Sequence, residues 1–291
     1  MSRIITTVLT TIVLLAKFSV GYAQSSTEIF LFELTKENGN FKMANPANIT
    51  NNPGYDNQPS FINDNELVYA ATYDNQTDIV RLNLESKEKT RMTNTPSSEF
   101  SPKLTPDGKY ISCILLDRNG SQTLVKYPLK GGEPKAIPSE QKIGYYCWFD
   151  KKTVFSFVLG SPPSLQEWNT KNSEFKIIMM NPGRSLSKIP GEKTISFIHK
   201  ESDDIWYVNS YDPLTDKVTY LTECIKGAED MVWASDGTAF LSDQKKIYKF
   251  DPKVDNGWKL MADMESFDLS TASRLAISPD LKWMAVVIDE E

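Results

Sequence analysis

The 291-residue chain holds one histidine, His199, and three cysteines, Cys113, Cys147 and Cys224. These shortages exclude whole classes of chemistry. A single imidazole cannot build a zinc site without several other ligands, and it leaves a serine or cysteine nucleophile almost without a base. Three widely spaced cysteines are no disulfide framework, so stability has to come from a packed core. Cys113 lies in an apolar run, as a small buried hydrophobe would, and a Cys147–Cys224 bridge is left open. Basic residues are also short: 32 Lys and Arg stand against 38 Asp and Glu, for a net charge of −6. No local basic stripe offsets this, so nucleic acid is a poor partner. Neither Gly-x-x-x-x-Gly-Lys nor Gly-x-Gly-x-x-Gly occurs, which removes the phosphate-cradling loops, and no Gly-x-Ser-x-Gly elbow marks a hydrolase. Ser-x-x-Lys does occur, at Ser139, Ser173 and Ser185, but without the companion motifs of that chemistry. No cofactor and no metal are expected.

Long apolar runs are absent as well, with one short exception. Residues 4–16 are apolar apart from threonines, with Arg3 before them and the small residues Gly21 and Ala23 after them. Such a run is too short for the roughly twenty residues that span a bilayer, and its flanks are those of a cleaved secretory signal, although Lys17 fits that pattern poorly. No cysteine follows it to accept a lipid. The expectation is a leader over residues 1–23, a single domain over 24–291, and a periplasmic or secreted protein with no integral membrane segment after cleavage.

What the sequence has in quantity is a repeat. Its clearest copy, Ser101-Pro102-Lys103-Leu104-Thr105-Pro106-Asp107-Gly108-Lys109-Tyr110-Ile111, reads as strand, tight turn, strand, because Asp-Gly supplies the positive φ of a hairpin. Further copies lie around Asn63-Asp64-Asn65, Asp236-Gly237 and Asp280-Leu281, with weaker ones around Asp150 and Gly191. The apolar residue two past the turn lysine or its equivalent is Val68, Ile111, Val154, Ile195, Phe240 and Met284, in steps of 43, 43, 41, 45 and 44. A third, alternating strand follows in each unit, such as Ile79-Val80-Arg81-Leu82, and then a fourth. The last unit stops after its second strand, at Val287, while Ile29-Phe30-Leu31-Phe32 and residues 41–50 match a third and a fourth strand. The fold class is therefore all-β: a six-bladed β-propeller of four-stranded antiparallel blades, the last closed by two N-terminal and two C-terminal strands. Trp148, Trp206 and Trp233 take core positions of the repeat and read as packing.

The Pro106-Asp107-Gly108-Lys109 core with its preceding Ser101-Pro102 resembles the WD40-like repeat of TolB-type propellers. The resemblance covers most of the chain, best over residues 48–137. It implies a rigid scaffold outside the cytoplasm. It says little about function, since the same repeat is found in the propeller halves of serine peptidases and in sugar-acid lyases. The separate N-terminal domain of TolB itself has no counterpart ahead of the first strand.

Candidate site residues follow from the repeat. Gln58, Ser101, Tyr145, Ser185, Asp230 and Arg274 stand at one register before each first strand, so they are expected to ring the channel mouth. Their chemical variety at equivalent positions fits an asymmetric ligand such as a protein or peptide of the cell envelope, with Tyr145 and Arg274 as the best anchors. Loop acids Asp74, Asp117, Asp203, Asp243 and Asp289 follow the second strands. They read as a polar rim, with calcium binding by Asp74, Asp117, Asp243 or Asp289 as the weaker alternative. His199 reads as structural. The alternative function is a carbohydrate-active lyase or glycosidase using those acids with Tyr145 or Tyr146.

Overall fold

The computed structural model describes residues 26–74 and 76–290; the expected leader lies outside them. Six four-stranded antiparallel sheets stand in a ring. Their innermost strands are Asp56–Asn63, Ser98–Leu104, Ile143–Trp148, Pro182–Lys188, Asp230–Trp233 and Ala272–Ile277, which define blades 1 to 6 in that order. In blades 1 to 5 the chain runs outward through four consecutive strands. Blade 6 is composite: Ala272–Ile277 and Trp283–Asp289 form its inner half, Thr27–Glu37 and Asn40–Asn48 its outer half. The expected closure by both ends of the domain is therefore present. A 3-10 turn, Met264–Phe267, is the only helix among the described residues, and none of their helices is long and apolar enough to cross a membrane.

The closing strand is locked on both faces. Its residues pair in register with the last strand, Ile29 with Val287 and Phe32 with Met284. The two-residue period then sends Ile29 and Leu31 into a core shared with Leu67, Tyr69 and Val80 of blade 1, and Phe32 and Leu34 into one shared with Phe240 and Ile247 of blade 5. All six repeat markers, Val68, Ile111, Val154, Ile195, Phe240 and Met284, are buried, as the first inward residue of each second strand has to be. Gly108 takes φ +67° in the turn that Asp107 caps, and a side chain there would meet a strained backbone.

Polar contacts stitch neighbouring blades. Trp148 donates to the Ser112 hydroxyl of blade 2 at 2.9 Å, and Trp233 donates to Ser196 of blade 4 at 2.7 Å. Both serines are fully buried and directly follow a marker residue. These indoles thus serve packing. A second device uses buried acids. At the blade 1–2 junction the Thr93 hydroxyl lies between Asp78 (3.2 Å) and Glu99 (3.1 Å), Tyr127 donates to Glu99 at 3.0 Å, and Arg91 Nη2 pairs with Asp78 at 2.5 Å. At the blade 6–1 junction the same positions hold Glu28, Thr50 and Asp56. Thr50 donates to Glu28, and the nearest cation, Lys89, is spent on the Thr50 carbonyl at 2.5 Å.

Candidate functional site at the channel mouth

Inner strands of a propeller are regular only if they pair residue for residue with the second strand, and here five of the six do not. Extra residues bulge out between Asn57 and Ser60, Phe100 and Lys103, Ile143 and Tyr145, Pro182 and Leu186, and Ala272 and Leu275. Gln58 and Ser101, at φ 57° and 54°, sit in these bulges directly before Pro59 and Pro102, whose missing N–H needs no partner there. Left-handed backbone at a non-glycine residue costs of order 1–3 kcal/mol. The bulges turn the rim side chains toward the axis.

The result is a cavity of about 230 Å³ at one mouth of the channel, lined by all six rim residues expected from the repeat: Gln58, Ser101, Tyr145, Ser185, Asp230 and Arg274. They divide by task. Gln58 Oε1 accepts from the Ser101 amide at 2.5 Å, joining blades 1 and 2. The Ser185 hydroxyl donates to the Glu229 carbonyl and accepts from the Met231 amide at 2.8 Å, joining blades 4 and 5. These three are used in holding the ring. Tyr145, Asp230 and Arg274 belong instead to a network across the mouth. Arg184 grips Asp230 through both Nε (3.0 Å) and Nη2. Arg274 Nη1 lies 3.9 Å from the same carboxylate, its Nη2 donates to the Tyr145 hydroxyl at 3.4 Å, and its guanidinium stands 5.4 Å over the Tyr145 ring. Blades 3 and 6 face each other across a six-membered ring, so this contact spans the mouth.

The electrostatics follow from burial and from these pairs. Burial works against the charge of Arg184, but its hydrogen bonds and attraction to Asp230 prevail and hold its pKa above the ordinary value. Tyr55, behind the rim, is pushed up to about 12 by burial, with Arg274 pulling the other way. Deeper in the channel Lys103 lines both this cavity and a second one of about 260 Å³ beneath it. Burial lowers its pKa, and among the described residues its ammonium has no ion-pair or hydrogen-bond partner. Beside the mouth, a groove of about 690 Å³ runs over blades 3 and 4, sharing Tyr145 and Arg184 with the cavity and adding Phe157, Lys200, Trp206 and Glu229.

The sequence did not point to Arg184 or Lys103. Arg184 enters the channel because the blade 4 bulge carries two residues beyond its partner strand, where the other bulges carry one. The only sequence signal was Gly183, whose added Cβ would stand 2.9 Å from Ile198 Cβ. None of the loop acids Asp74, Asp117, Asp203, Asp243 and Asp289 lines the mouth cavity, and of the five only Asp203 lines the groove beside it. Asp117 accepts from Ser97 and Ser121, and Asp243 accepts from the amides of Lys245 and Lys246, which are turn-capping bonds. Among the described residues no three His, Cys, Asp or Glu side chains gather at metal-binding separation. His199 lies in the second strand of blade 4, paired with Pro182 and Tyr207. Cys113, Cys147 and Cys224 are free and buried, so the bridge left open between Cys147 and Cys224 is not formed; burial pushes both of these thiols up to about 12.

The propeller fold recurs among solved structures. A putative TolB from Agrobacterium tumefaciens superimposes with a TM-score of 0.70 at 12% identity, covering 92% of this chain and 99% of that one. The fold is that of the TolB-type propellers. TolB from Acinetobacter baumannii gives a TM-score of 0.59 at 12% identity over 92% of this chain and 64% of its own. An oligogalacturonate lyase in complex with manganese gives 0.58 at 12% identity over 92% and 99%. No protein-family model matches the chain, and no curated protein matches it in sequence. Likeness at this level of identity establishes the architecture and leaves the chemistry to the site.

Proposed function

We propose that the chain is a non-catalytic TolB-like propeller that binds a protein or peptide partner at the Arg274–Tyr145 mouth, outside the cytoplasm. The observation that carries this reading is the network Arg184–Asp230–Arg274–Tyr145, half-buried and continuous with the groove over blades 3 and 4. Arg and Tyr are the residue types that dominate interface energies, and here they are pre-positioned by a rigid ring, so little ordering entropy is lost on binding. An extended segment laid in the groove would meet Phe157, Trp206 and the mouth in turn. The test is Tyr145→Ala with Arg274→Ala. Asp230 keeps Arg184 as its partner in that variant, so the thermal transition should hardly move, while cross-linked partner recovered from envelope extract should fall at least tenfold, about 1.4 kcal/mol. Capture that survives this change but fails when the opposite face is altered at Asp64 and Asp107 would refute it. Export is part of the same proposal: N-terminal sequencing of the envelope or secreted protein should begin near Gln24.

A second reading, a carbohydrate-active propeller, is favoured by one observation, the excess of positive charge in a channel whose fold is shared with an oligogalacturonate lyase. Turnover of acidic oligosaccharides by the purified protein would establish it in place of the first.

A further inference from the structure

The charged side chains lining the mouth cavity are Lys103, Arg184, Arg274 and Asp230. The cavity beneath adds Lys188 and no acid. A chain with a net charge of −6 therefore surrounds a channel where, among the described residues that line it, four cations face one carboxylate, and low-dielectric walls focus that field toward the axis. The cations differ in how they are engaged. Arg184 is held bidentate by Asp230. Lys188 donates to the Phe149 carbonyl at 3.0 Å. Arg274 is only loosely paired, and the Lys103 ammonium has no partner among the described residues.

An ammonium half-buried in a channel without a counter-charge is costly, and a protein tolerates one where a ligand supplies the missing charge. We infer that the channel takes a carboxylate between Arg274 and Lys103, presented either by the end of a peptide chain or by a small organic acid. The chemistry selects a carboxylate over a phosphate. One guanidinium fork is already occupied by Asp230, so what remains free is the loosely held Arg274 and a single amine, a match for one planar, singly charged group. Size agrees: about 230 Å³ holds roughly seven or eight waters' volume at about 30 Å³ each, enough for a carboxylate with a short stem. Tyr145 and the hydroxyls of Ser60, Ser101 and Ser187 on the wall supply further donors. The inference rests on the preceding reading only in placing the ligand at this mouth.

The lowered pKa of Lys103 gives the site a pH signature. A bound carboxylate favours the ammonium, so binding takes up a proton once the pH exceeds the lowered value, and affinity falls as the pH rises further.

The experiment titrates the intact protein calorimetrically with the tripeptide Ala-Ala-Ala as free acid, with its C-terminal amide, and with glutarate. The free acid should bind at least tenfold tighter than the amide. Lys103→Met should erase that advantage while melting no lower than the parent, since it removes an unpartnered charge, and Lys103→Arg should keep the advantage. Glutarate binding alongside the tripeptide would mark the site as open to small acids, and tripeptide binding alone would restrict it to chain ends; either supports the inference. Equal affinity for acid and amide, no binding by either, or an acid preference that survives Lys103→Met would overturn it. If partner capture still depends on Tyr145 and Arg274 in those cases, the mouth remains the binding face and only the carboxylate site is lost. If the acid preference holds while capture ignores Tyr145 and Arg274, the reverse is true.

Discussion

Replacing Asp56 with asparagine should stabilise the protein at neutral and alkaline pH and do nothing for it in acid. Asp56 is fully buried where blade 6 meets blade 1, and its Oδ2 has no hydrogen-bond partner. Burial first, and then the nearby charge of Glu28, push its carboxyl up to about 7, against the weaker pull of Asn52, Lys89 and Thr50. The folded pKa thus lies above the unfolded value of 3.8. Below that value the carboxyl is neutral in both states and costs nothing. Between 3.8 and 7 the folded state holds a proton that the unfolded chain has released, so stability falls as the pH rises. Above 7 the loss is complete. At about 1.4 kcal/mol per pKa unit the penalty amounts to roughly 4 kcal/mol.

Asparagine has the same shape and no charge, and its amide can donate toward Thr50 and Glu28. Some of the gain is spent on fixing that amide, so Asp56→Asn should raise stability at pH 8 by about 2–4 kcal/mol. The assay is urea unfolding followed by tryptophan fluorescence at pH 4.5, 6 and 8, with the parent and variant compared at each. The difference cancels the other titrating groups, which both proteins share. The midpoints should converge at the acid end and separate as the pH rises, with unchanged slopes. Parallel behaviour at all three values would refute the argument, since it requires a folded-state Asp56 that titrates with the unfolded chain, as a water-exposed carboxyl would.

The equivalent junction between blades 1 and 2 is compensated, so it should respond in the opposite way. Arg91→Met leaves Asp78 buried without its cation and should cost about 3 kcal/mol in the same urea assay at pH 8. Gly183→Ala drives a methyl to 2.9 Å from the buried Ile198 and should cost about 1–3 kcal/mol, with a weakened Arg184–Asp230 grip that shows as reduced partner capture. Deleting residues 26–34 uncovers the paired edge at Val287 and should give aggregation or loss of cooperative unfolding in a thermal scan, because a buried aromatic alone is worth about 3–5 kcal/mol. His199→Ala, outside every cavity described above, should leave melting and capture unchanged.

Much of the architecture was legible because the fold makes the same demand six times. Val68, Ile111 and Met284 meet identical needs in different blades, so their spacing survives where local sequence does not. The composite blade was legible for the same reason: Ile29 and Phe32 fill places that the last unit leaves empty. The rim was readable only in part. Counting back from each first strand located the six residues that line the mouth, yet it assumed equal register in every blade. The bulge at residues 182–186 breaks that equality and delivers Arg184, and no composition rule counts residues lost to a bulge. Lys103 was hidden differently. Its position in an alternating strand looks like any lysine on a solvated face, and only closure of the ring turns that face into a channel.

The same closure explains why a symmetric scaffold carries an asymmetric site. Packing asks each blade for a buried marker and an inter-blade latch, and these recur: Ser112 with Trp148, Ser196 with Trp233. The mouth is where six equivalent positions meet at one axis, so any difference between them is brought within contact distance. Gln58 and Ser185 spend their side-chain polar groups on neighbours, as Ser101 does its backbone amide, and together they keep the ring rigid. Arg274 and Tyr145, on opposite blades, face each other across the opening, and Arg184 orients the Asp230 carboxylate beside them. Rigidity and recognition are thus assigned to different members of one ring of residues, so the recognising members can change without loosening the fold.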